Sequence, residues 1–169
     1  MSAWMDKVGP VIGDSVYCDK KLVARDVTCT IPMPKWQTAD IEANGTLSVP
    51  LVGRADNMDF AVTKVGVDEG YAAMCVPGAH DVEVRWVDPV IDDKGVVHQI
   101  GKRAYMRTLA GSPADIGLEN GSVSELETTF PVLRVRIVEN GVETFVYDRL
   151  AGTLRVNGKD YSGNKERFL

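Results

Sequence analysis

The chain has 169 residues, of which 44% are hydrophobic and 25% are charged, and its formal net charge at pH 7 is −5. These values are typical of a globular protein with a full hydrophobic core, and we expect residues 1–169 to form a single domain. The negative charge argues against binding to nucleic acids or membrane surfaces by bulk electrostatic attraction. No apolar run approaches the roughly 20 residues of a membrane-spanning helix, so we expect no membrane segment.

Short strand-forming segments joined by turns dominate the first third of the chain. The first predicted hairpin pairs residues 16–18 with residues 22–31. The second pairs residues 41–52 with residues 58–66 across the turn-forming residues 53–57. Segment 34–57 is long and polar at several alternate positions, so it is hard to cover within one domain of this size. Because exposed strand edges pair readily with other chains, self-assembly is expected.

One short helix is predicted, over residues 68–76. Asp68 is a suitable N-cap, Glu69 favours the first turn, and Pro77-Gly78 ends the helix. A third hairpin follows, in which residues 82–91 pair with residues 96–109.

The C-terminal third contains the clearest hairpin, because residues 132–138 and 142–147 flank Asn140-Gly141, a dipeptide that suits a two-residue turn. Residues 152–156 form a closing strand. The polar side of the preceding strand changes near Phe130-Pro131, which predicts a bulge or a corner. The fold class is therefore mainly β: an antiparallel barrel or sandwich with one short packed helix and a long protruding hairpin.

The residues that usually carry chemistry are few and scattered. The three cysteines, Cys18, Cys29 and Cys75, lack metal-ligand or redox spacing, and we interpret them as small apolar residues. Neither His80 nor His98 has a second histidine at ligand spacing. No nucleotide-binding or hydrolase motif occurs. We therefore expect no enzymatic activity, no cofactor and no metal site.

Over about residues 16–161, the order of strands, turns and helix resembles that of the major tail tube protein of contractile-tailed phages. The resemblance rests on a strand ending in Ile31-Pro32, an Asn-Gly segment at 43–51, the short helix, and a C-terminal set of strands. In that set the strand 133–138 leads through Glu139-Asn140-Gly141 to a second strand, and the closing strand ends in Val156-Asn157-Gly158.

This resemblance implies a structural subunit that self-assembles into stacked hexameric rings, which form the inner tube for DNA passage. Ten residues would belong to the ring-stacking hairpin: Trp36, Gln37, Glu42, Asn44, Gly45, Thr46, Val49, Pro50, Arg54 and Asp56. Seven would lie on strands of the barrel wall: Ala61, Val62, Leu133, Val135, Ile137, Phe145 and Tyr147.

The implied partners are further copies of the chain together with sheath, baseplate, tape-measure and tail-terminator proteins. DNA would pass through the lumen without sequence-specific binding. The implied location is the virion tail, and the bacterial host cytoplasm during assembly. Two alternatives stay open: the tube protein of a phage-tail-like bacteriocin or secretion machine, and a monomeric β-sandwich that binds a ligand.

Overall fold

A computed structural model describes residues 7–163 of the chain. The predicted domain 1–169 therefore includes six residues at each end that lie outside the described part. The strands are β1 (Lys7–Val8), β2 (Gly13–Cys18), β3 (Lys21–Arg25), β4 (Thr28–Thr30), β5 (Trp36–Glu42), β6 (Thr46–Ala55), β7 (Asp59–Val65), β8 (His80–Ile91), β9 (Val97–Thr108), β10 (Glu125–Glu139), β11 (Val142–Asp148), β12 (Thr153–Val156) and β13 (Lys159–Asp160). One helix, α1 (Glu69–Met74), lies between β7 and β8.

Most strands form one large antiparallel sheet in the order β13-β12-β11-β10-β9-β8-β2-β3, with β1 paired to β8. Tight turns with positive φ make these local pairings possible. Asn140 and Asn157 have φ of 48° and 49°, and each precedes a glycine that also has positive φ. The hairpins predicted at Asn140-Gly141 and at residues 82–109 are confirmed, as is the closing strand.

A smaller, three-stranded sheet is formed by β4, β7 and the N-terminal half of β10. Strand β10 therefore belongs to both sheets, and its pairing with β9 shifts register between Val132 and Arg134. Buried residues alternate as far as Val132, and the next buried residue is Val135. This irregularity is the predicted change of the polar side, two residues after Pro131.

The two sheets share one hydrophobic core, to which each contributes buried side chains. Phe60, Val62 and Leu126 come from the small sheet, and Val84 and Val135 come from the large one. The fold is therefore an open β-sandwich, as predicted. The described strands do not close into a barrel within one subunit.

Two predicted pairings need correction. Residues 22–31 are not one strand: Asp26 has a φ of 50°, and β4 pairs with β7 instead of β2. Residues 41–52 do not pair with 58–66. The turn at Asn44-Gly45, with φ of 52° and 128°, folds β6 back onto β5. Strand β7 pairs with β4 and β10 instead.

The predicted helix is confirmed, with Asp68 as its N-cap. The Asp68 carboxylate accepts a hydrogen bond from the Tyr71 amide at 2.8 Å and from Lys64 Nζ at 2.6 Å. The buried faces of Tyr71 and Met74 pack α1 against the core. In the part of the chain that the structure covers, no helix combines the length and the apolar character needed to cross a membrane.

Candidate assembly surfaces

The hairpin β5–β6 forms a sheet of its own and pairs with no other strand of residues 7–163. Apart from Trp36, every residue of β5 is exposed. Ile41 and Leu47 lie directly opposite each other and are 51% and 57% exposed. A two-stranded hairpin is marginally stable by itself, and the adjacent exposed aliphatic side chains make this hairpin a candidate interaction surface. We call β5 and β6 the projecting hairpin.

The base of the projecting hairpin is fixed to the sandwich. The Trp36 ring meets the Tyr147 ring edge to face, with centroids 5.4 Å apart and planes at 78°. Arg149 Nη2 donates a hydrogen bond to the Ala55 carbonyl at 3.0 Å. The Asp56 amide donates to the Lys35 carbonyl at 2.8 Å and closes the base. These contacts orient the hairpin while its distal half stays exposed.

The structure brings all ten residues predicted for ring stacking into this one region. Trp36, Gln37 and Glu42 lie on β5, and Asn44 and Gly45 form the turn. The remaining five lie on β6 or directly after it: Thr46, Val49, Pro50, Arg54 and Asp56.

The outer face of the three-stranded sheet is acidic. Glu125 and Glu127 are exposed and lie opposite Val65 and Thr63. The only lysine or arginine on β4, β7 or residues 125–131, Lys64, is buried on the core side. We call this surface the acidic face; its residues are Thr28, Thr30, Asp59, Ala61, Thr63, Val65, Glu125, Glu127, Thr129 and Pro131.

The outer face of the large sheet is rich in arginine. Because both sheets cover the same core, this surface lies on the opposite side of the sandwich from the acidic face. We call it the arginine face; its basic residues are Arg25, Arg85, Arg103, Arg107, Arg134, Arg136 and Arg155.

Acidic side chains neutralise part of the arginine face. Arg107 Nη1 lies 2.9 Å from the Asp81 carboxylate, and Arg136 Nε lies 2.7 Å from that of Glu143. A depression of about 630 Å³ crosses this face, with Leu133 and Leu150 among its lining residues.

The seven residues predicted for the barrel wall divide between both sheets, so they do not form one continuous wall within a subunit. Val62, Val135 and Tyr147 are fully buried in the core. Ile137 and Phe145 are half-buried against it, Leu133 lines the depression, and Ala61 lies on the acidic face. The alternation of Glu125, Glu127 and Thr129 in the sequence indicates that the two glutamates share one side of a strand. It does not identify the acidic face, because the pairing of β10 with β7 has no local signal.

An open β-sandwich with a projecting, partly apolar hairpin and unpaired sheet edges is the form of a structural subunit that associates through its surfaces. Residues 11–167 match the family described as Phage tail tube protein FII, and the chain belongs to this family. It is a structural protein of a tail tube, and therefore a component of a virion or of a tail-like particle. The family is a structural one.

Two solved structures resemble the chain. One is a chain of the sheath-tube complex of PVC, an extracellular contractile injection system, in its extended state: 13% identity, TM-score 0.50, 76% of this chain and 90% of that chain covered. The other is from the sheath/tube terminator of the same system, also in its extended state: 10% identity, TM-score 0.49, 76% of this chain and 95% of that chain covered. The first likeness supports the fold. No curated protein sequence matches the chain.

Proposed function

We propose that the chain assembles into hexameric rings that stack into the inner tube of a contractile phage tail. The observation that carries this proposal is the projecting hairpin, which is firmly attached at Trp36 and exposes Ile41 and Leu47 at its distal half. Stacking against the next ring would remove these side chains from water. The buried apolar area would contribute on the order of 25 cal/mol per Å².

Lateral contacts would use the open edges of the sheets. Strand β4 pairs with β7 alone, so its outer edge has no partner among the described strands. Strand addition from a neighbouring subunit would satisfy that edge and join the three-stranded sheets around the ring. Each subunit would use two different patches, as a cyclic arrangement requires.

The acidic face would then line the lumen. Glu125 and Glu127 carry charge of the same sign as DNA, so a wall of this kind lets DNA slide without being bound in a sequence-specific way. The arginine face would point away from the lumen, where a surrounding sheath would lie. Baseplate, tape-measure and tail-terminator proteins would complete the tail, which would be assembled in the bacterial cytoplasm.

A second candidate is the tube of a phage-tail-like bacteriocin or secretion machine. It is favoured by the fold likeness to a chain from an extracellular contractile injection system. Both candidates require the same stacked rings, and the contents of purified particles distinguish them.

Negative-stain electron microscopy of the purified chain across a concentration series tests the stacking role. The informative variant is Ile41→Lys/Leu47→Glu, which removes the apolar pair but keeps a favourable pair across the hairpin. Asn44 and Gly45 are less suitable because both have positive φ, and substitution there would disturb the turn itself.

We expect tubes or rings from the unaltered chain and folded, unstacked subunits from the double variant. Val142→Lys is the control, because Val142 is also more than half exposed but lies on a different hairpin. Normal tubes from the double variant would contradict the stacking role of the hairpin.

A further inference from the structure

Three side chains with metal-binding atoms meet where the β2–β3 turn contacts the start of β8. Cys18 Sγ, Asp19 Oδ2 and His80 Nδ1 all lie within 4.8 Å of one another. The His80 Nδ1 to Asp19 Oδ2 distance is 2.7 Å, and Cys18 Sγ lies 3.9 Å from the same oxygen. His80 is about 60 residues from the other two in the sequence. The spacing of ligand residues along the chain therefore does not reveal this cluster.

A hydrogen bond on the Nε2 side of the ring fixes the orientation of His80. Its Nε2 lies 2.6 Å from the Val76 carbonyl oxygen, which can only accept, so Nε2 carries the proton and donates. The ring is thereby held with Nδ1 towards Asp19 and Cys18. Metal-binding histidines are commonly held in this way, by a hydrogen bond from the nitrogen that does not bind the metal.

Asp19 is also held in place. Its Oδ1 accepts a hydrogen bond from the Asp81 amide at 3.0 Å, and its backbone has a φ of 49° in the tight turn. The Oδ2 atom is the one left facing the cysteine and the histidine. The backbone is fixed at both the β2–β3 turn and the start of β8. The three metal-binding atoms of Cys18, Asp19 and His80 are therefore held close together.

The surroundings suit a cation that arrives from solvent. The side chain of His80 is 9% exposed and Cys18 is buried, whereas the side chain of Asp19 is 54% exposed and leaves a route of entry. Burial and the neighbouring Asp19 charge raise the pKa of the Cys18 thiol to about 11. His80 Nδ1 also carries a proton, which it donates to Asp19, and these hydrogen bonds raise the pKa of His80. Binding of a cation would therefore release two protons to solvent, one from the thiol and one from Nδ1.

We propose that Cys18, Asp19 and His80 bind a divalent transition-metal cation, with Zn²⁺ the best match. Sulfur, imidazole nitrogen and carboxylate oxygen together are the donors that zinc takes, whereas Mg²⁺ and Ca²⁺ take oxygen alone. Solvent would supply the fourth ligand. Two ligands at about 2.0 Å from a tetrahedral ion lie roughly 3.3 Å apart, so the exposed Asp19 carboxylate rotates slightly away from His80 on binding.

Titration of the full chain with Co²⁺ tests the site. The buffer contains a reductant that does not bind metals, so that Cys18 stays reduced. We expect one Co²⁺ per chain, with the thiolate-to-cobalt absorption band that marks a cysteine ligand. Zn²⁺ should displace the cobalt. It should also raise the midpoint of thermal unfolding by roughly 5–10 °C at a hundredfold excess over its Kd.

Cys18→Ala should abolish both the band and the rise in midpoint, and His80→Asn should abolish them in any preparation that folds. Cys29→Ala is the matched control, because Cys29 lies near one carboxylate, Asp14, at 4.0 Å. Absence of the band from the unaltered chain, or its persistence in Cys18→Ala, would overturn the proposal. Tube formation does not enter either readout, so the two proposals fail independently.

Discussion

Lys64 is a buried cation that the fold neutralises locally. Its Nζ donates to the Val23 carbonyl at 2.7 Å and to the Asp68 carboxylate at 2.6 Å. The same carboxylate caps α1. The hydrogen bond from Lys64, followed by that from the Tyr71 amide, lowers the pKa of Asp68 below its ordinary value of 3.8. Lys64 and Asp68 together therefore connect β3 and β7 to the start of the helix.

Asp68→Asn separates the charge of this residue from its capping role, because asparagine caps helices about as well as aspartate. We expect a loss of roughly 1 kcal/mol in the free energy of unfolding at pH 7, a modest value because the carboxylate is more than half exposed. The lowered pKa means that the stabilisation is complete above the unfolded-state value and is lost as the pH falls through the folded-state value.

The difference between the unaltered chain and Asp68→Asn should therefore shrink below about pH 4. Urea unfolding at pH 7 and at pH 3 measures it. Glu69→Gln, which removes a carboxylate from the same helical turn, is the control. Equal stability of Asp68→Asn and the unaltered chain at pH 7 would show that the ion pair contributes nothing.

At the scale of elements, the attachment of the projecting hairpin depends on one aromatic contact. Trp36→Ala should leave the sandwich folded but cost about 2 kcal/mol, because it removes a half-buried ring and its edge-to-face partner. The freed hairpin should be cleaved faster in limited proteolysis, and stacking should weaken. Trp36→Phe should retain most of the contact. Unchanged cleavage of Trp36→Ala would show that Arg149 is a sufficient anchor.

Local turn chemistry explains which elements the sequence predicts well. The hairpins at Asn140-Gly141 and at residues 92–95 have short turns between long alternating strands. Strands that are consecutive in the sequence therefore also pair with each other in the sheet. The error over residues 41–66 has the opposite cause. The turn-forming residues 53–57 predict that the strands on either side of them pair, whereas the Asn44-Gly45 turn already pairs β6 with β5.

The family resemblance implies a ring-stacking hairpin that starts at Trp36, and residues 36–55 do pair as the projecting hairpin. Their role in stacking stays a prediction. The two charged faces depend on which strands pair at which register. Thr63 lies opposite Glu127, and no local pattern specifies that contact. The cluster of Cys18, Asp19 and His80 escaped detection for the same reason.

The two outer faces of the molecule differ in their charge pattern, although the net charge of the chain is only −5. Glu125 and Glu127 have no lysine or arginine beside them on the outer side of the small sheet, whereas most arginines on the large sheet are paired with carboxylates. A subunit of this kind can present unpaired negative charge to the interior of a tube and largely paired charges to its surroundings. The field inside a narrow tube would be stronger than around one subunit, because every subunit of the ring contributes to it.

Glu125→Lys/Glu127→Lys should reverse the charge of the proposed lumen without disturbing the core, because both side chains are exposed. We expect the variant tubes to retain DNA at low salt and to release it as the salt concentration rises. Co-sedimentation of short DNA with assembled tubes measures this. Glu119→Lys, an exposed change in the loop before β10, is the control. DNA retention no greater than that of the control would place the acidic face elsewhere than the lumen.

The sharing of β10 between both sheets also dictates an order of events during synthesis. Strand β7 ends at Val65, but the strand that covers its other edge begins only at Glu125. A chain leaving the ribosome therefore carries β4 and β7 without their partner until most of its length has been made, and closure of such distant contacts is slow. A prematurely terminated chain that lacks β10 has neither a complete core nor an acidic face. In the proposed tube, such a chain would lack the face that is assigned to the lumen.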